Sequence, residues 1–210
     1  MDLFNSDKTV FNLPNAELIY IPKFYSIEKS NQYFKHLKDT IPWQQDYITI
    51  FGKTHKQPRL TALFATNNLS YSYSNIEMIP HQFTKELLHI KSNIEKVANH
   101  EFTTVLLNFY RHGNDSNGWH ADNEKDLGKN PVIASLSFGE PRVFHFKHRT
   151  IKTEKHKLIL EHGSLLIMKG EMQQYWLHQI PKTQRDIGAR INLTFRTIKE
   201  KVEVPQPRLS

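Results

Sequence analysis

Cysteine is absent from the 210 residues, which excludes a disulfide framework, a thiolate metal site and a cysteine nucleophile, and gives no sign of an oxidising compartment. Long apolar runs are missing as well, none approaching the roughly 20 residues of a membrane-spanning helix. The amino terminus, Met1-Asp2-Leu3-Phe4-Asn5-Ser6-Asp7-Lys8, lacks the basic start and apolar stretch of a signal peptide. We therefore expect a soluble, cytoplasmic protein with no membrane partner. Repeats and low-complexity tracts do not occur. Length and a hydrophobic content of 38% suit a single domain with a sizeable core. Acidic residues are outnumbered, 21 against 28 Lys and Arg, and the net charge of +7 favours a polyanionic partner.

Two segments carry helical periodicity. From His81 to Asn99, the residues Phe83, Leu87, Ile90, Ile94 and Val97 recur at steps of four and three, which predicts one apolar helix face opening just after Pro80. A shorter helix is predicted from Ser26 as N-cap through Ile27, Phe34 and Leu37, stopping before Pro42. Beyond Thr103 the pattern turns to period two and short apolar runs bounded by Gly, Pro, Asn and Asp. Strands are predicted near Thr104–Tyr110, Val132–Phe138, Arg142–Phe146, Lys157–Leu160, Ser164–Met168, Gln174–His178 and Arg190–Thr197. Upstream, Tyr47–Phe51, Arg59–Ala65 and Leu69–Ser74 also read as strands, with Phe51-Gly52-Lys53 as a turn. The expected fold is mainly β (α+β): a double-sheet jelly roll flanked by two amino-terminal helices.

Within Gly118-Trp119-His120-Ala121-Asp122, an imidazole and a carboxylate stand two residues apart, on one face if the chain is extended. A later histidine, His178, would complete a two-histidine, one-carboxylate set that leaves coordination positions open, as in non-haem iron(II) oxygenases. Zinc stays open on ligand chemistry, although no His-Glu-x-x-His helix is present. The segment Arg190-Ile191-Asn192-Leu193-Thr194-Phe195-Arg196 adds support. Its apolar residues share one face, and Arg190, Asn192, Thr194 and Arg196 the other. The two arginines lie roughly 20 Å apart along such a strand, and bent guanidinium side chains from either end could close on a short dicarboxylate.

Together these motifs resemble the AlkB family of dioxygenases. The resemblance runs from about Tyr47 to Ile198 and includes Asn108-Phe109-Tyr110, His120-Ala121-Asp122, Ala134-Ser135-Leu136-Ser137-Phe138-Gly139, His162-Gly163-Ser164-Leu165-Leu166, His178 and Arg-x-Asn-x-Thr-x-Arg. Phe51-Gly52-Lys53, Pro58-Arg59 and Asn192-Leu193-Thr194-Phe195-Arg196 point to the family's double-stranded-DNA repair branch. The resemblance implies a double-stranded β-helix core over residues 103–198 and a β-hairpin nucleotide-recognition lid over 47–75. It implies Fe(II) on His120, Asp122 and His178, and 2-oxoglutarate gripped by Asn108, Tyr110, Arg190, Thr194 and Arg196, with Asn192 nearby. The family reaction consumes O2 and the oxo acid, releases succinate and carbon dioxide, and hydroxylates an N-methyl carbon that leaves as formaldehyde. Such chemistry requires the base to be extruded from its stack.

By the same resemblance Tyr71, Tyr73 and Glu124 would receive a cationic methylated adenine or cytosine, and Phe51 would fill the gap left in the duplex. The basic stretch from Lys147 to Lys157 would grip phosphates, with Lys53, Arg59, Lys182 and Arg185 as further contacts. Asn117 and Trp119 depart from the family pattern, and neither is expected to touch the ligand set. The expected partner of this monomer is alkylated DNA, in duplex form. RNA, tRNA or protein as substrate, or a non-catalytic nucleic-acid-binding jelly roll, are the alternatives.

Overall fold

A computed structural model describes residues 8–50, 52–66, 71–73 and 76–198. In chain order its strands are β1 Thr9–Leu13, β2 Ala16–Ile21, β3 Tyr47–Ile50, β4 Lys53–Lys56, β5 Leu60–Ala65, β6 Tyr71–Tyr73, β7 Ile76–Met78, β8 His81–Gln82, β9 Thr104–Tyr110, β10 Asn117–His120, β11 Ile133–Gly139, β12 Arg142–His148, β13 Lys155–Leu160, β14 Leu165–Lys169, β15 Trp176–Ile180 and β16 Arg190–Arg196. Two helices, α1 Ile27–Thr40 and α2 Lys85–Ala98, and a single turn, α3 Met172–Tyr175, complete the regular structure with a 3-10 turn at Lys125–Leu127.

Each helix starts where a hydroxyl can satisfy an orphan amide. Ser26 Oγ accepts from the Lys29 amide at 3.3 Å, and Thr84 Oγ1 from the Leu87 amide at 3.2 Å. Helix α1 keeps the predicted start and ends before Pro42, with the Ile41 amide donating to Leu37 O at 3.2 Å. Helix α2 begins at Lys85, later than expected. Phe83 fits the helical period but precedes the cap, and His81–Gln82 pairs in parallel with Phe64 and Ala65 of β5 instead.

Strands β9 to β16 alternate between two sheets. An eight-stranded sheet runs β1-β2-β14-β11-β16-β9-β5-β8, and a four-stranded sheet runs β10-β15-β12-β13. Only the β12–β13 hairpin keeps two successive strands of this series in one sheet. The expected double-stranded β-helix is thus the architecture observed. The hairpin β1–β2, absent from the sequence reading, extends the larger sheet by pairing with β14. The segment predicted as one strand from Gln174 is split: α3 carries Gln174, and β15 opens at Trp176.

Apolar side chains pack on both faces of the large sheet. On the outer face Leu37, Leu87, Ile90 and Ile94 from the helices meet Ile191, Leu193 and Phe195 from β16. Between the sheets Leu106, Ile133, Leu166 and Met168 meet Phe144, Phe146 and Trp176. Since successive residues of a strand face opposite ways, burying Ile191, Leu193 and Phe195 under the helices turns Arg190, Asn192, Thr194 and Arg196 into the space between the sheets. Polar side chains there are held where water is scarce, which sets up the site.

Candidate active site

The three predicted ligands converge. One ligand atom from each of His120, Asp122 and His178 lies within 4.8 Å of the others. Strand pairing explains this: β10 and β15 are antiparallel with His120 opposite His178, and their rings meet edge to face with centroids 4.3 Å apart. Asp122 follows just past the end of β10. Its backbone amide donates to Gln173 Oε1 at 2.9 Å, which fixes the carboxylate's approach. His120 Nδ1 lies 2.7 Å from Gly118 O, so that nitrogen carries the proton and Nε2 keeps its lone pair. His178 is buried, and among the described residues its Nδ1 has no hydrogen-bond partner.

Electrostatics hold the set in a ligating form. Burial works against the Asp122 carboxylate, but Arg196, His178 and His120 outweigh it and lower its pKa to about 2. Burial, with His120 adjacent, pushes His178 down to about 3, and burial lowers His120 too. At neutral pH the site therefore presents an anion and two neutral imidazoles, the states a divalent metal requires of its ligands.

The cavity beside this triad is lined by Asn108, Tyr110, Asn192, Thr194, Arg190 and Arg196, among others. All six predicted oxo-acid residues are therefore in one place. Arg190 is 1% exposed; its Nη2 donates to Ser137 Oγ at 2.9 Å, while among the described residues Nε and Nη1 have no hydrogen-bond partner. A buried cation with donors left open is what a carboxylate answers. Burial lowers Arg190 to about 10, so it stays charged at neutral pH. At the other end Arg196 Nη2 donates to Asp122 Oδ1 at 2.8 Å. The symmetric two-arginine clamp expected from the sequence is thus divided: one fork faces the cavity and the other holds a metal-ligand carboxylate. Asn192 Nδ2 donates to Ser135 Oγ at 2.8 Å, and its Oδ1 accepts from Thr194 Oγ1 at 3.0 Å. The residues present fit both a ferrous ion and a short dicarboxylate.

Several sequence expectations need correction. Arg59 is 4% exposed and is no surface phosphate contact; its Nε donates to Asn108 Oδ1 at 2.7 Å and its Nη1 to Ser116 O at 3.1 Å, positioning the cavity wall. Asn117 does reach the ligand set, its Nδ2 lying 3.1 Å from His120 Nε2. Glu124, expected at the base and not at the oxo acid, is half-buried at the start of the 3-10 turn, two residues past Asp122. Phe51 lies outside the described residues; Tyr71 and Tyr73 are placed only as backbone in β6, paired with Met78 and Ile76.

The sequence reading also passed over Arg142. It is 4% exposed, its Nη2 donates to Asp115 O at 2.9 Å and Pro181 O at 2.6 Å, and its guanidinium lies 5.6 Å from the Tyr110 ring centroid. Arg190 sits at 5.2 Å from the same ring. Arg142 therefore pins two loops beside the cavity and braces Tyr110. A basic residue in a strand otherwise alternating buried and exposed, standing at a buried position, was the available signal.

Comparison with known proteins agrees with this geometry. The family model described as the 2OG-Fe(II) oxygenase superfamily matches residues 17–196. Alpha-ketoglutarate-dependent dioxygenase alkB homolog 3 of Bos taurus is 39% identical over 196 residues, covering 89% of this chain and 66% of its own length. DNA oxidative demethylase ALKBH2 of Arabidopsis thaliana is 35% identical over 219 residues, covering 92% and 70%. The chain thus spans about two thirds of the length of these relatives. The solved structure of OsALKBH1 superposes with a TM-score of 0.63 at 18% identity, over 90% of this chain and 100% of that one, a likeness of fold. No helix among the described residues is long and apolar enough to cross a membrane.

Proposed function

Because the chain belongs to the 2OG-Fe(II) oxygenase superfamily and to its AlkB branch, we propose that it is an oxidative demethylase of N-alkylated nucleobases in DNA, 1-methyladenine and 3-methylcytosine being the lesions. The observation that carries this reading is the meeting of three ligand side chains with an open, buried guanidinium in one cavity.

His120, Asp122 and His178 would hold Fe(II), and Arg190 would take the distal carboxylate of 2-oxoglutarate, with Asn108, Tyr110, Asn192, Thr194 and Arg196 around it. When bound, iron and oxo acid together supply the oxidising power drawn from O2, with succinate, carbon dioxide and formaldehyde as products. The protein's own part is positioning and exclusion of water. Asp122 stays ionised and His178 neutral throughout the working pH range. Phe144, Leu160, Met168 and Ile180 furnish the apolar side of the same cavity, which keeps the reacting centre dry. The target base must leave its stack to arrive there. Phe51, Tyr71, Tyr73 and Glu124 remain our assignments for receiving it, on the strength of the sequence resemblance. The segment 47–75 would then form the lid, and a DNA substrate would place the protein at nucleoid or nucleus. Duplex preference rests on Phe51 alone. The identities to a homolog 3 and to an ALKBH2 do not decide between strand states, so single strands and RNA are necessary arms of the test.

The test is anaerobic loading with Fe(II), then turnover on methylated duplex DNA, single-stranded DNA and RNA, reading formaldehyde and succinate. His120→Ala is expected to abolish iron-dependent succinate release while keeping most salt-sensitive DNA binding. Full turnover by that variant overturns the metal assignment, and turnover confined to RNA overturns the choice of DNA.

A further inference from the structure

The smaller sheet has an outer face turned away from the ligands, and its residues make an unusual set. Along β12 burial alternates, so that Phe144 and Phe146 point inward while Val143, His145 and Lys147 point outward. Strand register then places Lys155 directly opposite Lys147, and Lys157 directly opposite His145. On this face one rung thus sets ammonium against ammonium, and the next sets a third ammonium against an imidazole; the like-charged rung opposes folding. Among the described residues none of Lys147, Lys155 and Lys157 forms an ion pair with a carboxylate. Beside them, on edge strand β10, stands Trp119, 40% exposed, with Lys147 Nζ 4.2 Å from its ring centroid. Trp119, His145, Lys147, Lys155 and Lys157 line one open cleft.

An exposed indole beside uncompensated ammonium groups is the combination that binds unpaired polynucleotide: the ring stacks a base and the cations follow the backbone. Its location matters equally. Trp119 immediately precedes His120 and faces the opposite side of the same edge strand, so the cavity and this cleft lie on the two sides of β10. We propose that the outer face of the β10-β15-β12-β13 sheet is a flanking-nucleotide subsite, where an unpaired base adjacent to the extruded one stacks on Trp119 and the following phosphates lie on Lys147, Lys155 and Lys157. This rests on the demethylase reading above and adds to it a second contact zone remote from the lesion pocket. The like-charged Lys147–Lys155 rung then has a purpose: a polyanion relieves it on binding.

The test compares each protein on two substrates, a methylated trinucleotide too short to reach the cleft and a methylated single-stranded oligonucleotide of about 15 nucleotides. For Trp119→Leu, the ratio of kcat/KM on the long substrate to that on the short one is expected to fall on the order of tenfold, the scale of one lost base stack. For the double variant Lys155→Gln, Lys157→Gln, the same ratio falls, and the slope of log affinity against log salt, measured by fluorescence anisotropy on the unmethylated 15-mer, becomes shallower by about 1.4, two phosphate contacts on a single strand. Thermal melting of both variants checks that the fold survives. Unchanged ratios in both variants overturn the subsite. A fall with the lysines alone reduces it to plain polyanion attraction and overturns the stacking role. Anisotropy needs no catalysis, so a protein that turns over neither substrate yet binds the 15-mer through these residues refutes the demethylase reading and leaves the cleft standing.

Discussion

Replacing Arg190 with methionine should move stability and cofactor affinity in opposite directions. In the folded chain this guanidinium is buried, and burial lowers its pKa to about 10, which corresponds to roughly 3 kcal/mol of cost in keeping the charge there. With the Tyr110 contact already included in that cost, its further return is a hydrogen bond to Ser137 Oγ, worth about 1 kcal/mol, and packing that methionine largely retains. The ligand-free variant should therefore melt no lower than the parent, and on this balance about 2 kcal/mol higher. Binding changes the sign, because a donor left open among the described residues, Nη1 or Nε, would meet a carboxylate. A charge-assisted hydrogen bond contributes about 1.5–3 kcal/mol, so its loss should weaken 2-oxoglutarate by about ten- to a hundredfold. The assay is thermal melting with and without the oxo acid. At a concentration about 100 times its Kd the ligand stabilises the parent by about 2.7 kcal/mol, or roughly 5–10 °C for a domain of this size. Arg190→Met should show a clearly smaller rise. A variant that melts many degrees lower on its own, or that keeps the full ligand shift, refutes the reasoning.

Acid should weaken the metal-free protein before it reaches the ordinary carboxylate range. His178 is depressed to about 3 and Asp122 to about 2. For a depressed group the unfolded chain takes up the proton first, so stability is complete above the unfolded pKa and is lost as pH falls towards the folded one. For His178 that window runs from about 6.5 down to 3, with a slope near 1.4 kcal/mol per pH unit, and Asp122 joins below about 4. Urea unfolding of metal-free protein between pH 8 and 4 checks it; a flat profile contradicts the burial of His178. Gly139→Ala tests the seating of α1. A Cβ there would lie 2.3 Å from Ala189 O and 2.6 Å from the Phe34 ring, at a φ of +87°. We expect a loss of about 3 kcal/mol or more, whereas Gly118→Ala, with nothing within 4 Å, should leave the melting temperature almost unchanged.

The site was legible in the sequence because it is written in strands. Period-two alternation in β16 assigned Arg190, Asn192, Thr194 and Arg196 to one face, and the structure turns that face into the cavity. The His-x-Asp spacing likewise survives, since β10 is extended up to His120. What escaped depended on partners far along the chain. Arg59 and Arg142 look like surface charges until β9 and two loops close over them. Asn117 reads as a neutral departure, but the bulge between Asn117 and His120 brings its amide to the imidazole. The β1–β2 hairpin was missed although Pro14-Asn15 signals a turn, with Asn15 at a φ of 59°. In α2 a residue that satisfied the period, Phe83, masked the capping signal of Thr84 just after it.

The Asp122–Arg196 bond joins the two layers of the sandwich. The carboxylate extends from the end of β10 in the small sheet and the guanidinium from the end of β16 in the large one, so this contact is a latch across the open end of the β-helix. A substitution at Arg196 would therefore unfasten the two sheets at this point and leave the ligand carboxylate without the cation that holds it.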